Sequence, residues 1–377
     1  MWFFRSPQIV FGEDAASFIS GLDIRRAVII TDRNLLKTDI PGRIQGALPK
    51  GSESIVLGDV SEEPPLSEMT ANLGRIREFS PDWFVGVGGG SAIDTAKILF
   101  CLFERPDLTV YDITPLVNLG LRKRSRLMAV PTTSGTGSEC TWAAVLSVEG
   151  EKRKHELASP EVLPDYAILD PSFVVSLPPE QTRNTGSDAI AHAVEAYGST
   201  WRNPFSDAMA EKSLEMVLGG IEGVLNDPHN LELRNQVHIG ASMAGLAFSN
   251  SQIGLVHALG HAWGARFKTP HGKAVALFLP HVVRFNDDAC HERYQRLNEI
   301  VPKKYRGATL ADSLENVLGA IGQARSGREA GVAEGEFQSS LESLVSSASE
   351  STGMVTNPKD SGSTDLRNLL VEAYGVD

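Results

Sequence analysis

The residues that could do chemistry cluster in the second half of the chain. Asp188-Ala-Ile-Ala-His192 sets a carboxylate and an imidazole four residues apart, and Glu195 follows three residues later. On a helix these positions share one face. Leu255-Val-His-Ala-Leu-Gly-His261 repeats the four-residue spacing with His257 and His261, and Thr269-Pro-His271 adds another imidazole ten residues on. A single histidine is more often a satisfied core or capping group than a ligand. Two such pairs joined by His271, all beside small residues, favour a metal. An Asp/His set suits Fe²⁺ or Zn²⁺ with a coordination position left for substrate. There is no HExxH, so a metalloprotease is not indicated.

A second kind of chemistry is written earlier. Gly86-Val-Gly-Gly-Gly-Ser-Ala-Ile-Asp-Thr-Ala-Lys97 places Gly88, Gly89 and Gly90 between an apolar run and a helical stretch. Without Cβ atoms, the backbone N–H groups of such a turn can approach phosphate oxygens, and the helix N-terminus adds positive potential. Ser91 can cap that helix and also touch an oxyanion. The turn is neither a P-loop nor the ordinary dinucleotide fingerprint, since Ser91 stands where a third glycine would fall. Pro131-Thr-Thr-Ser-Gly-Thr-Gly-Ser-Glu139, with five hydroxyls and two glycines, follows another apolar run. Two small-residue loops after two strands point together to a sugar-phosphate ligand. Asp32, ending a third run, could accept from a ribose diol and repel a 2′-phosphate, which favours NAD over NADP. It could equally cap the turn from Arg33 onward.

The elements that must position these groups follow from periodicity. Arg26–Asp32, Ser54–Gly58, Trp83–Val87 and Leu127–Pro131 read as buried strands alternating with helices, with Tyr166–Asp170 as one more. That alternation predicts a parallel sheet covered on both faces, a Rossmann-like α/β domain over residues 1–179. After Leu177-Pro-Pro179 the pattern turns helical, over Asp188–Tyr197, Asp207–Val224, Arg234–Phe248 and Leu255–Phe267, predicting an all-α domain over 180–377. Residues 322–363, rich in Ser, Glu and Gly, read as loop-broken helix without chemistry.

Composition narrows the classes. The 377 residues are 42% hydrophobic and 22% charged, ordinary for a globular chain of two domains. Net charge is −12, which disfavours nucleic acid and anionic membrane as partners. Residues 235–265 carry no Lys, Arg, Asp or Glu, but three histidines and several polar residues make them a buried helix pair rather than a membrane span. Cys101, Cys140 and Cys290 are far apart, without CxxC, which fits a reducing cytoplasm. Arg5 and Pro7 interrupt the apolar N-terminus too early for a signal-peptide core.

Together these segments resemble the iron-containing (group III) alcohol dehydrogenase family. Its GGGSxxDxxK is present as Gly88–Ser91 with Asp94 and Lys97, its PTTxGTGSE as Pro131–Glu139, and its DAxxHAxE as Asp188–Glu195. Its histidine segment is present from Gly254 through Thr269-Pro-His-Gly272 to His281, and the match spans about Val10 to Asn286. The resemblance implies metal ligands at Asp188, His192, His257 and His271, with proton transfer at His261. It implies cofactor contacts at Asp32, Gly88, Gly89, Gly90, Ser91, Asp94, Thr132, Thr133, Thr141 and Lys154. It also implies a dinucleotide-binding domain followed by a helical one, the architecture shared with dehydroquinate synthase, with the site in the cleft. The implied reaction is reversible hydride transfer between a small alcohol and NAD, giving an aldehyde or ketone, with Fe²⁺ favoured and Zn²⁺ compatible. Dimers are usual in that family, and the apolar runs Trp2–Phe4 and Gln8–Phe11 are expected to pair with a second copy, giving a homodimer or larger homo-oligomer, the alternative being that this segment packs within its own subunit.

Two related chemistries fit less well. A glycerol dehydrogenase-like polyol oxidoreductase typically uses zinc and fewer ligands. A dehydroquinate synthase-like lyase needs a lysine- and arginine-rich pocket, and the segments around the candidate ligands are poor in both. After about Leu310 the family's usual Gly-Ile-Pro stretch is absent, although Asn357-Pro358 is present.

Overall fold

The computed structural model describes residues 3–61, 65–147 and 154–375. By contacts the chain divides into two compact units, Arg5–Ser176 and a second containing Phe3, Phe4 and the chain from Leu177 onward.

In the first unit, β1 (Gln8–Phe11), β2 (Arg26–Asp32), β3 (Glu53–Val60), β4 (Trp83–Gly88), β5 (Arg126–Pro131) and β8 (Tyr166–Leu169) form one sheet in the order β1-β8-β5-β4-β2-β3, every pair parallel. The strands are continuous apolar runs because both faces are covered. Val28 and Ile30 of β2 join Phe84 in one core cluster, while Ala27 and Ile29 join Val85 and Val87 in the other. Helix α1 (Ile40–Ala47) covers the second face through Ile40 and Ile44. Helices α2 (Leu66–Ala71), α3 (Leu73–Phe79) and α4 (Gly90–Glu104) bring Met69, Ile76 and Ala96 to the first. A separate antiparallel pair, β6 (Ala143–Ser147) with β7 (Lys154–Ala158), had no counterpart in the periodicity reading.

Strand order locates the ligand end of this sheet. From β2 the chain steps outward to β3 and then returns to β4 on the other side of β2. That reversal is a topological switch point, where open parallel sheets bind ligands at the strand carboxyl ends. The residues at those ends are Asp32 and Gly88.

The N-terminal strand differs in part from expectation. Gln8–Phe11 pairs with β8 of its own sheet, Gln8 opposite Tyr166 and Phe11 opposite Leu169. It lies at the end of the strand order, so its other edge has no partner strand among the described residues. Trp2 lies outside them.

The second unit is helical: α5 (Pro179–Gly198), α6 (Pro204–Asn226), α7 (Leu231–Ser249), α8 (Leu255–Phe267), α9 (His271–Ile300), α10 (Leu310–Ala320), α11 (Glu334–Ser349), α12 (Gly353–Thr356) and α13 (Ser363–Tyr374). Pro178 and Pro179 open α5, where the missing amide proton costs nothing and the fixed φ suits the first turn. Helix α9 was not expected from periodicity. It runs thirty residues straight through Pro280, inside the segment read only for its histidines. No helix among the described residues is long and apolar enough to cross a membrane.

Candidate active site

Helix α5 carries Asp188, His192 and Glu195 on one stripe, at positions i, i+4 and i+7, all buried. Helix α8 brings His257 and His261, and α9 begins at His271. Lys268, with φ 55°, and Pro270 turn the chain between α8 and α9. Gly272 then lets the start of α9 press onto α5, for a Cβ there would lie 1.9 Å from the Asn184 carbonyl oxygen. No side chain fits at that distance, so the glycine sets how close His271 comes to Asp188.

The result is a converging cluster. Ligand atoms of Asp188, His192 and His257 all lie within 4.8 Å of one another. Asp188 Oδ1 is 3.3 Å from His257 Nε2, 3.3 Å from His271 Nε2 and 3.8 Å from His192 Nδ1. Four ligands around a tetrahedral metal at about 2.0–2.1 Å stand roughly 3.4 Å apart. Asp188, His192 and His257 therefore offer the donor types of a divalent-ion site at spacings close to these, and His271 Nε2 adds a fourth donor beside Asp188. His192 is held between Phe248 of α7 and His257, with ring centroids 4.2 and 4.4 Å away and nearly parallel planes. The His261 ring stands 5.7 Å from that of His257 and 5.1 Å from that of His271, at the rim of the cluster.

Electrostatics agree with geometry. Burial opposes ionisation of Asp188, but the imidazoles of His192 and His271 and the hydrogen bonds of His257 and His271 hold it well below the usual carboxylate range. Burial likewise opposes protonation of His257, yet Glu195 and Asp188 outweigh it and raise the imidazole to about 10. Without metal the cluster thus holds a proton between two carboxylates.

The glycine turn and the threonine loop pack against each other in the first unit. The Thr132 N–H donates to the Gly88 carbonyl at 3.0 Å. A Cβ on Gly89 would meet Thr133 at 3.4 Å, and one on Gly90 would meet Thr136 at 3.2 Å. Gly88 has φ 152°, and a Cβ there would also collide with Ala92 at 2.7 Å. Asp32 Oδ1 accepts from the Asn34 and Leu35 N–H groups at 2.8 and 3.0 Å, so the local turn read as its alternative role is real. Its Oδ2 lies 3.5 Å from the Gly88 Cβ position, at the switch point. Ser91 is not the helix cap: α4 starts at Gly90 with Gly89 in the capping position, which places Ser91 inside the first turn. Lys154 opens β7, and its side chain lies outside the described residues.

Comparison with known proteins is in accord with both halves. Residues 6–171 match the family model described as iron-containing alcohol dehydrogenase, and residues 182–374 match the Fe-containing alcohol dehydrogenase family, C-terminal. The chain belongs to the iron-containing alcohol dehydrogenase family. It is 30% identical to the NADPH-dependent butanol dehydrogenase of Clostridium saccharobutylicum, over 99% of this chain and 98% of that one. It is also 30% identical to aldehyde-alcohol dehydrogenase 2 of Entamoeba histolytica, over 99% of this chain but 46% of that protein, so it spans about half the length of such relatives. Among solved structures, the iron-containing alcohol dehydrogenase of Thermococcus thioreducens superposes with a TM-score of 0.90 at 30% identity, covering 99% of each chain. The sulfoacetaldehyde reductase of Bifidobacterium kashiwanohense, solved in complex with NAD⁺, superposes with a TM-score of 0.89 at 26% identity over the whole of both chains.

In this member of the iron-containing alcohol dehydrogenases, two residues carry more of the arrangement than spacing revealed. Lys97 is fully buried, and its Nζ donates to Ser138 Oγ at 2.9 Å, Thr141 Oγ1 at 3.0 Å and the Ala143 carbonyl at 2.6 Å. Burial pushes the ammonium below the usual lysine value, while Asp94 and Glu139 pull it back up. Asp94 accepts from Ser138 Oγ at 2.5 Å and from the Val145 N–H at 3.0 Å. Lys97 and Asp94 therefore tie α4 to the threonine loop and to β6. The second residue is Glu195, whose carboxylate meets the ring of His257. The sequence signal for both was present, as the lysine of the glycine motif and the glutamate three residues past His192, but no spacing rule says what either touches.

Proposed function

We propose that the protein is a metal-dependent alcohol dehydrogenase that moves a hydride reversibly between a small alcohol and NAD, with an aldehyde or ketone as product. The observation that carries this reading is the convergence of buried Asp188, His192 and His257, with half-buried His271 3.3 Å from Asp188, in a chain of this family. When bound, a divalent metal supplies Lewis acidity toward the alcohol oxygen and the nicotinamide accepts the hydride. Asp188 contributes the charge and the three histidines the neutral donors that would hold Fe²⁺, with Zn²⁺ suited to the same set. His261, at the rim, is placed to take the released proton outward. Gly88, Gly89 and Gly90 open the start of α4 to the cofactor pyrophosphate, flanked by Ser91, Thr132 and Thr133. Asp94, Thr141 and Lys154 complete the proposed cofactor set, Asp94 and Thr141 through the ties to Lys97. Asp32 at the switch point favours NAD over NADP, in contrast to the NADPH-dependent butanol dehydrogenase relative.

The division of labour assigns residues 1–179 to the dinucleotide and 180–377 to metal and substrate. The open edge of β1, with Phe11 64% exposed, supports a homodimer, which light scattering at micromolar concentration checks. Three buried free thiols support a reducing, cytoplasmic setting.

The deciding experiment is reduced-nicotinamide absorbance with short primary and secondary alcohols and their aldehydes, on protein reconstituted with Fe²⁺ or Zn²⁺, with NAD and NADP side by side. Turnover that requires metal and prefers NAD is expected. Absence of turnover with every substrate despite full metal loading overturns the reading.

A further inference from the structure

We propose that Glu195 is the positioning residue of the metal site, fixing both the ring tautomer and the backbone of His257 so that Nε2 is the nitrogen presented to the metal. The inference rests on the metal reading above.

The geometry is specific to this one carboxylate. Glu195 lies on α5, three residues past His192, and is buried. Its Oε1 accepts from the N–H groups of Gly254 at 3.0 Å, Val256 at 2.7 Å and His257 at 3.3 Å, the start of α8. Those are amides with no partner inside their own helix, at its positive end, where a carboxylate is favoured. Its other oxygen, Oε2, meets Nδ1 of the His257 ring. One side chain on α5 thus holds the main chain and the imidazole of the same residue on α8. Asn357 closes the site from behind, its Oδ1 accepting from the Leu255 N–H at 3.4 Å while its amide pairs reciprocally with Asn286 at 2.8 and 2.9 Å. A Cβ on Gly254 would meet Asn357 Oδ1 and Glu195 Oε1, each at 3.1 Å, so a side chain there would crowd both carboxamide and carboxylate.

A carboxylate oxygen accepts, so the ring must donate from Nδ1, and the lone pair then belongs to Nε2. Nε2 is the nitrogen 3.3 Å from Asp188 Oδ1. Partners of this kind orient a ligating imidazole and raise its basicity, and their loss typically lowers metal affinity roughly 10–100-fold.

Glu195→Gln separates positioning from mere structure. The amide keeps an oxygen for the three backbone N–H groups, but its nitrogen donates toward Nδ1 and drives the ring proton to Nε2. Zn²⁺ affinity of the apo-protein, measured by chelator competition, is expected to fall roughly 10–100-fold. NADH binding should stay unchanged and serves as the control for an intact first unit. A second measurement needs no variant to fold well: ¹⁵N-histidine NMR of Zn²⁺-loaded wild type, with His257 assigned by its loss in His257→Gln. A proton on Nδ1 supports the proposal. Wild-type Zn²⁺ affinity in Glu195→Gln, or a proton on Nε2 of wild-type His257, overturns it while leaving the metal site standing. Failure of the wild type to bind Zn²⁺ at all overturns the metal reading and this inference together.

Discussion

Helices α4 and α8 each have a glycine at the capping position, and their N-termini are treated in opposite ways. At α8, the buried Glu195 carboxylate accepts from the amides of Gly254, Val256 and His257, and Asn357 accepts from that of Leu255. At α4, no side chain of the capping residue Gly89 serves the helix, and the flanking groups are the threonines of the neighbouring loop. The first start is closed by the protein's own anion and made rigid, because it carries a histidine that must point one way. The second has no side-chain cap at its capping glycine, which is what an external phosphate needs in order to approach it. The same backbone chemistry thus serves as a scaffold in the helical unit, and in the α/β unit it is the site proposed for the cofactor phosphate.

The largest expected effects separate the two histidines of α8. His257→Ala should leave the protein metal-poor and cut kcat/KM by at least about 10³-fold, since several kcal/mol of charge stabilisation depend on the ion. His261→Ala should retain metal and lose roughly 10²–10⁴-fold in rate, with an altered pH–rate profile. Elemental analysis of both purified variants decides it. The roles are reversed if His261→Ala is the one stripped of metal. Neither substitution should change NADH affinity, because the bare helix start belongs to the other unit.

The closed end also makes metal uptake pH-dependent. His257 is raised to about 10 when the site holds no metal, so near neutrality it carries a proton that an incoming ion must displace. Affinity should therefore rise with pH, by about tenfold per unit for one proton released, until pH approaches that value. Chelator competition between pH 6 and pH 8 tests this, and a flat profile would mean that His257 is already neutral before the metal arrives.

The smallest effect belongs to the open end. If Asp32 abuts the adenosine ribose, Asp32→Gly removes a charge worth about 1–4 kcal/mol of repulsion toward a 2′-phosphate. NADP use should then improve by roughly tenfold or more relative to NAD. Asp32 also holds the Asn34 and Leu35 amides, so a modest fall in stability should accompany the change. Preference for NADP in the wild type would remove Asp32 from the cofactor site.

Much of this was legible before any coordinates. Apolar runs marked β2, β4 and β5 because a strand buried on both faces has no polar side to disguise it, and β3, at the sheet edge, was marked by its Ile55–Leu57 run alone. The four-residue spacing of Asp188 with His192, and of His257 with His261, placed each pair on one helical face because the helix period is local and fixed. The misjudged positions share a different character. Ser91 was assigned the cap of α4, but the helix starts one residue earlier at Gly90, and the choice among adjacent small residues depends on packing against Thr133 and Thr136. Helix α9 went unread because its segment was taken only for its histidines; it runs on through Pro280, with much of its length buried against the other helices of the unit.

What the sequence by itself determined, then, was local: which segments are strands, which are helices, and which residue types each helical face carries. These depend on periods of two and 3.6 residues that act within a few turns of chain. Only the tertiary structure decided partnership. Glu195 reaches amides 59 to 62 positions away, Lys97 reaches groups more than 40 positions on, and Asn357 closes a helix start about a hundred residues earlier. Such contacts are set by the packing of helices and loops on a shared core, in which Gly272 permits an approach that any side chain would forbid and Gly254 one that a side chain would crowd. No local rule contains that information, because it arises only when distant segments are buried against one another.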